Sequence, residues 1–148
     1  MPARDKYHQI VRNALEKDGW TITDDPLHLR WGKRDLYVDL GAEKLFTAEK
    51  NGRKIAVEVK SFIGASEIKD LEDALGQYVL YRNKLKISQP DRKLYLAIRE
   101  SVFVNTFSHE DAQFLLENEH LQLLVFSSTK EEIVKWISWK DNAKQSKK

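Results

Sequence analysis

A long amphipathic segment lies between two strand-like segments, and this arrangement constrains the fold more than any other feature of the sequence. Residues 66–86 carry apolar side chains at helical intervals, with acidic groups near the start and basic groups near the end, an order that suits the dipole of a helix. The apolar positions are Ile68, Leu71, Leu75, Tyr78, Val79 and Leu85. The flanking segments, KIAVEVKSF at 54–62 and KLYLAIRE at 93–100, have the composition of strands. Because helices between strands lie on the faces of a sheet, this order predicts a sheet covered by helices.

Further segments with helical or strand-like periodicity lie before and after residues 54–100. Before it we predict a helix at 4–18, two extended pieces around a turn at 24–26, and a strand at 34–40. After it we predict a helix near 109–118, a strand at 121–127, and a short strand or helix at 131–139 whose tryptophans pack on the core. The expected fold class is α/β, with a mixed central sheet flanked by helices. We expect one domain over residues 1–138 and a polar C-terminal tail at 139–148 that frays.

Composition excludes several classes of site. The chain has 148 residues and no cysteine, and its four histidines lack paired ligand spacing, so we expect no disulfide and no structural zinc. No apolar run approaches the ~20 residues of a membrane span, and the N-terminus lacks the pattern of a secretory signal. We therefore expect a cytoplasmic protein with no membrane partner. A net charge of +2 is too small to indicate by itself that the protein binds nucleic acid.

Two charged residues interrupt the strand at 54–62. Strand side chains alternate between faces, so Glu58 and Lys60 share one face while Val57 and Val59 share the other. We expect the valines to be buried and Glu58 and Lys60 to be the exposed half of a site. With Asp39 from the preceding strand, Glu58 would offer two carboxylates to Mg²⁺ or Mn²⁺, and Lys60 would stabilise charge on a phosphate. The alternative is an exposed ion pair on a half-solvated sheet.

The identity of the upstream carboxylate depends on the segment before Lys54. If Asn51 and Gly52 form a two-residue hairpin turn, Leu45 lies opposite Glu58, Glu43 lies opposite Lys60, and Asp39 is too far away. If AEKLFTAEK, at 42–50, forms a short helix, Asp39 is left beside Glu58. We favour the helix, because Ala, Glu, Lys and Leu are good helix formers.

The order of helix, strands, Asp39, Glu58-Val-Lys60, long helix and strand resembles the PD-(D/E)XK nuclease superfamily. The long helix adds Gln77-x-x-x-Tyr81, similar to a helix motif of several nuclease families in that superfamily. The resemblance implies a restriction-endonuclease-like fold in which Asp39 and Glu58 bind the metal. It also implies that Lys60 assists the chemistry and that Gln77 and Tyr81 support the site. Some members carry a further metal-proximal glutamate on the first helix, which makes Glu16 a candidate ligand.

Several longer phrases resemble the XisH family of cyanobacterial excision-controlling factors. They are MPARDKYH, GWTITDDPLHL, DLYVDLGAEKL, KIAVEVKSF, ALGQYVLY, RKLYLAIRE and LLVF, which together extend over residues 1–138. The resemblance implies a role on DNA in excision of the fdxN element by a site-specific recombinase, with a XisI-like companion factor.

Three interpretations of that role remain open. The chain is a Mg²⁺-dependent endodeoxyribonuclease, a catalytically silent adaptor for a XisI-like protein or a recombinase, or a nuclease in a defence setting. Nucleases of this fold often act as homodimers, and a homodimer is expected here too. A DNA surface near the site would use flanking cations and aromatic rings. The candidates are Arg30, Lys33, Arg34, Lys54, Lys69, Trp31 and Phe62.

Overall fold

The computed structural model describes residues 3–31, 34–35 and 45–139. The helices in this part of the chain are α1 (Ala3–Lys17), α2 (Glu67–Ser88), α3 (Glu100–Thr106) and α4 (Glu110–Glu119). The strands are β1 (Thr21–Ile22), β2 (Arg30–Trp31), β3 (Arg34–Asp35), β4 (Leu45–Lys50), β5 (Arg53–Val59), β6 (Arg92–Arg99), β7 (Leu123–Ser127) and β8 (Glu132–Ile137).

Six of these strands form one mixed sheet, in the order β1-β4-β5-β6-β7-β8. The three central strands, β5, β6 and β7, are parallel, and the outer pairs are antiparallel. Strands β2 and β3 form a separate two-stranded ribbon. The predicted α/β class with a mixed sheet and flanking helices is therefore confirmed. Within the described ranges, no helix is both long enough and apolar enough to cross a bilayer.

The sheet separates two hydrophobic clusters. On one face, Ile10, Val11 and Leu15 of α1 pack against the odd-numbered residues of β5, which include Val57 and Val59. On the other face, α2, α3 and α4 cover Ala56 of β5 and the even-numbered residues of β6. Both predicted C-terminal tryptophans contribute: Trp136 packs on the α1 side, and Trp139 packs on the α2 side. Because both faces are covered, the middle of β5 is buried on both sides.

Helix α2 begins as predicted, and it buries part of the predicted apolar set, Tyr78 and Leu85, together with two further residues. The Ser66 side chain caps the helix by accepting a hydrogen bond from the Lys69 amide at 3.2 Å. The buried side chains are Ala74, Tyr78, Tyr81 and Leu85. Ile68 and Val79, which we expected on the apolar face, are exposed. The four buried residues are spaced three or four apart and share one side of the helix, and Ile68 and Val79 lie off that side.

The favoured helix at 42–50 is wrong over its described part, because residues 45–50 are strand β4. Strand β4 pairs with β5 from Leu45 opposite Glu58 to Lys50 opposite Arg53, and its other edge pairs with β1. Asn51 and Gly52 have positive φ values of 51° and 80°, as a type I′ hairpin turn requires. Pairing on both edges and burial of four consecutive side chains outweigh the helix propensity of this segment. The alternative hairpin register is confirmed from Leu45 to Lys50, and Glu43, which it would place opposite Lys60, is outside the described residues.

The hairpin turn and helix α2 offer a matched pair of glycine substitutions. At both Gly52 and Gly76 an added Cβ would meet no atom within 4 Å, so backbone conformation alone determines the outcome. We expect Gly52→Ala to lower the free energy of unfolding by about 1 kcal/mol because its φ is positive. We expect Gly76→Ala, in mid-helix, to raise it by about 0.5–1 kcal/mol. Urea denaturation of both variants measures these changes. The prediction would be contradicted if both substitutions changed the free energy of unfolding in the same direction.

A buried polar network holds the segment after β1 against α1. His8 Nε2 lies 2.8 Å from Asp25 Oδ2, and Arg12 donates to the same oxygen at 2.9 Å. The two predicted extended pieces, β1 and β2, lie on either side of this anchored turn. The network thereby attaches this turn to α1, and residues 32–33 and 36–44 are outside the described ranges.

Candidate functional site at the carboxyl edge of the sheet

Glu58 lies near the carboxyl end of the central strand β5, between Leu45 of β4 and Leu96 of β6. Its side chain projects from the face that α2 covers, and the residue is only 2% exposed. The expectation that Glu58 is exposed is therefore wrong, because a helix rather than solvent lies over this face. The expected burial of Val57 and Val59 is confirmed. Burial of a carboxylate is costly unless polar or charged groups stabilise it, so Glu58 is the most unusual residue of the strand.

Lys60 follows directly after β5. Its backbone amide donates to the carbonyl of Ala97 in β6 at 3.1 Å, which extends the parallel pairing one residue past the strand. The Lys60 side chain is half-buried. A carboxylate and an ammonium group thus come from residues 58 and 60 at the edge where the parallel strands end, which we call the carboxyl edge.

Arg99 is a third charged group at the carboxyl edge, and the sequence analysis missed it. It is the last residue of β6, and its Nη2 donates to the carbonyl of Ser61 at 2.6 Å. Its guanidinium carbon lies 4.9 Å from the centre of the Tyr7 ring on α1. By strand alternation, Arg99 is on the α1 side of the sheet, opposite to Glu58. The sequence does show that Arg99 lies near the end of a predicted strand. Its position near Glu58 follows only when the pairing of β6 with β5 is known.

Gln77 and Tyr81 lie one turn apart on α2, the helix that covers the face of Glu58. Gln77 is half-buried, and Tyr81 is fully buried in the hydrophobic cluster with Leu45 and Leu96. The structure therefore brings Glu58, Gln77 and Tyr81 to the same side of the sheet. Glu16 is exposed on α1, which covers the opposite side.

The two upstream carboxylates, Asp39 and Glu43, lie outside the described residues. The observed hairpin register is the alternative that favours Glu43 over Asp39. Among the described residues, no three His, Asp or Glu side chains are grouped so that they could hold a metal ion. Glu58 supplies one oxygen donor group of the type that Mg²⁺ prefers, and a complete metal site requires at least one further carboxylate.

The flanking cations that the structure describes are dispersed. Lys54 is at the other end of β5, four residues and about 13 Å from Glu58. Lys69, in the first turn of α2, forms an ion pair with Asp73, in which Nζ lies 3.2 Å from Oδ1. The Phe62 ring packs in a T-shaped arrangement with the ring of Phe107, a core residue, and the ring centroids are 6.1 Å apart. Arg30 is exposed, Lys33 is outside the described residues, and the side chains of Trp31 and Arg34 are not described.

These features define an α/β protein with a mixed six-stranded sheet and a charged carboxyl edge. The family model described as "XisH protein" matches residues 1–134, and the chain belongs to this family.

Two solved structures support this assignment. One is an XisH family protein from Nostoc punctiforme PCC 73102, with 40% identity, a TM-score of 0.83, and coverage of 90% of this chain and 100% of the other. The second is an fdxN element excision controlling factor protein from Anabaena variabilis, with 40% identity, a TM-score of 0.83, and coverage of 90% and 99%. No curated protein matches the chain.

Proposed function

We propose that this chain controls excision of a programmed DNA element and does so by acting on DNA through Glu58 and Lys60. The observation that carries the proposal is the burial of Glu58, 2% exposed, in a strand whose other central residues are apolar. A carboxylate that stability alone does not favour at this position points to a chemical role. The relative from Anabaena variabilis is described as an fdxN element excision controlling factor, which supports the biological setting.

The proposed chemistry is that of a restriction-endonuclease-like, PD-(D/E)XK centre. Glu58, with Asp39 or Glu43, would hold Mg²⁺ or Mn²⁺, and the cation would act as a Lewis acid towards a phosphodiester. Lys60 would hold a phosphate oxygen or orient water. Gln77 and Tyr81 would support Glu58 from α2, and Arg99 would add positive charge at the same edge.

The proposed partners follow from this setting. They are DNA, a XisI-like controlling factor and a site-specific recombinase, with a homodimer as the cutting unit, in the cytoplasm.

The experiment is a plasmid-nicking assay with the full chain, alone and with its XisI-like companion. We expect supercoiled DNA to be converted to open circles in Mg²⁺ or Mn²⁺ and to remain intact in excess chelator. If no DNA is cut under any of these conditions, and calorimetry detects no binding of Mn²⁺ alone, the enzymatic proposal fails.

A second candidate function, a catalytically silent adaptor, is favoured by exposed apolar side chains near the carboxyl edge. Ile63, Ile68 and Val104 are 60%, 66% and 57% exposed. The first turn of α2 and the end of α3 are joined by a 2.7 Å hydrogen bond from Thr106 to Glu67. If the chain is an adaptor, Ile68→Asp should abolish excision in a reconstituted assay and Glu58→Gln should leave it intact. If the chain is an enzyme, Glu58→Gln should abolish excision.

A further inference from the structure

A cavity of about 440 Å³ lies at the end of the sheet opposite to the carboxyl edge. The last turns of α2, the start of β6, the end of α4 and Trp139 line this open cavity, which we call the amino-edge cavity. Lys93 borders the cavity and lies opposite Ile55 in the sheet, whereas Glu58 lies opposite Leu96. Lys93 and Glu58 are therefore three residues, or about 10 Å, apart along the strand direction. The cavity is therefore separate from Glu58 and has the volume of a small-ligand site.

The charges around the amino-edge cavity are mainly positive. Four cations, Arg82, Lys86, Arg92 and Lys93, and one carboxylate, Glu119, line it. Arg92 is already engaged: its guanidinium donates to the Ile55 carbonyl at 3.0 Å and lies 3.4 Å from Glu49. Lys86 and Lys93 form no ion pair with any residue in the described ranges.

The neutral polar groups of the wall are bonded to one another. Tyr78 donates to the Leu94 carbonyl at 3.2 Å and accepts from the Gln122 amide at 3.2 Å. The Gln122 side chain donates to the same carbonyl at 3.0 Å. Burial raises the pKa of the Tyr78 hydroxyl, while the hydrogen bond from Gln122 and the nearby Arg82 charge oppose the rise, so at neutral pH Tyr78 is an uncharged part of the wall. These hydrogen bonds leave the cations as the charged donors of the wall.

His120 has an unusual conformation for its position. It ends α4 with φ 51° and ψ 45°, the left-handed region that glycine usually occupies after a helix. Its ring stacks on Trp139, with the centroids 5.7 Å apart and the planes at 17°. The stacking on Trp139 thus holds an imidazole at the wall of the cavity.

We propose that the amino-edge cavity binds a phosphate-bearing ligand of nucleotide size. Lys86, Lys93 and Arg82 would contact the phosphate oxygens, because ammonium and guanidinium groups form strong charge-assisted hydrogen bonds to phosphate. Arg82 is positioned by its hydrogen bond to the Glu119 carbonyl at 2.9 Å and by packing on the Tyr78 ring. The His120–Trp139 pair would lie beside the rest of the ligand. The phosphate has two chemical sources, a free nucleotide or a DNA strand.

Calorimetry on the full chain tests this proposal with three probes: sodium pyrophosphate, thymidine diphosphate and a short single-stranded oligodeoxynucleotide. We expect pyrophosphate and thymidine diphosphate to bind more weakly as salt rises, and Lys86→Ala and Lys93→Ala each to reduce affinity about tenfold. His120→Asn keeps a residue that tolerates the left-handed region and should reduce affinity about threefold without lowering the melting temperature. The control, Lys130→Ala in the exposed turn between β7 and β8, should bind as the unmodified chain does.

The outcomes separate the two sources. If only the oligodeoxynucleotide binds, and the Lys86→Ala/Lys93→Ala double variant does not bind it, the phosphate site stands and belongs to a DNA strand. If no probe binds, or if the double variant binds as the unmodified chain does, the proposal is overturned. Glu58→Gln should leave pyrophosphate binding intact, so a failure of the nicking assay does not affect this result.

Discussion

Glu58→Gln is expected to reduce metal-dependent nicking of supercoiled DNA by at least about 100-fold, a barrier increase of about 2.7 kcal/mol. Glutamine has nearly the same shape as glutamate and lacks the negative charge that a divalent cation requires. Because Glu58 is 2% exposed, the substitution also changes a buried polar group, and the thermal unfolding curve tests whether the fold is retained. The measurement is the initial rate of nicking in Mg²⁺ for variants of equal thermal stability.

The matched control for Glu58 is Glu132→Gln, the same chemical change at an exposed position of the edge strand β8. It should nick DNA at the unmodified rate. Lys60→Ala should abolish nicking as well, while Lys54→Ala, at the other end of the same strand, should not. A Glu58→Gln protein that is folded and nicks DNA at the unmodified rate would exclude Glu58 from the chemistry.

Phe46→Ala is expected to lower the free energy of unfolding by about 3–5 kcal/mol. Phe46 is 0% exposed in β4 and packs in the cluster under α1, and its ring is in a T-shaped arrangement with the His8 ring, with the centroids 5.1 Å apart. Its truncation leaves a cavity that the sheet and α1 cannot close, because both elements are fixed by their own hydrogen bonds. Such a loss is a large part of the 5–15 kcal/mol typical of a domain.

Phe114→Ala is the control for this stability prediction, because it makes the same change at a position on α4 that is 67% exposed. It should change the free energy of unfolding by no more than about 0.5 kcal/mol. Denaturant titration of both variants measures the difference. Equal losses would contradict the burial assigned to Phe46 and would place β4 elsewhere than in the sheet interior.

Elements determined by local patterns could be predicted from the sequence. Strands β5, β6 and β7 are rich in β-branched and other apolar residues, and α2 has both a helical period and a capping serine, so neighbouring residues carry enough information. The hairpin turn at Asn51 and Gly52 was considered from this local signal, although the helix was favoured over it. Helix α3 was missed because its sequence, ESVFVNT, is short and rich in β-branched residues that disfavour helix.

Features determined by distant contacts could not be predicted. Strand β4 has good helix formers, and it is a strand because β1 and β5 lie on either side of it. Alternation shows which residues share a face with Glu58, but it does not show that α2 covers that face. The position of Arg99 at the same edge depends on the order of β5 and β6 in the sheet, which local periodicity does not contain.

Helix α2 sets a length scale for the whole molecule. It begins just after the loop that follows Lys60 and ends beside the amino-edge cavity, and its 22 residues span about 33 Å. A helix packed along its length on a sheet is a rigid spacer, so its two ends cannot approach each other when a ligand binds. A ligand in the amino-edge cavity, at the end of α2, would therefore leave the position of the first turn of this helix unchanged.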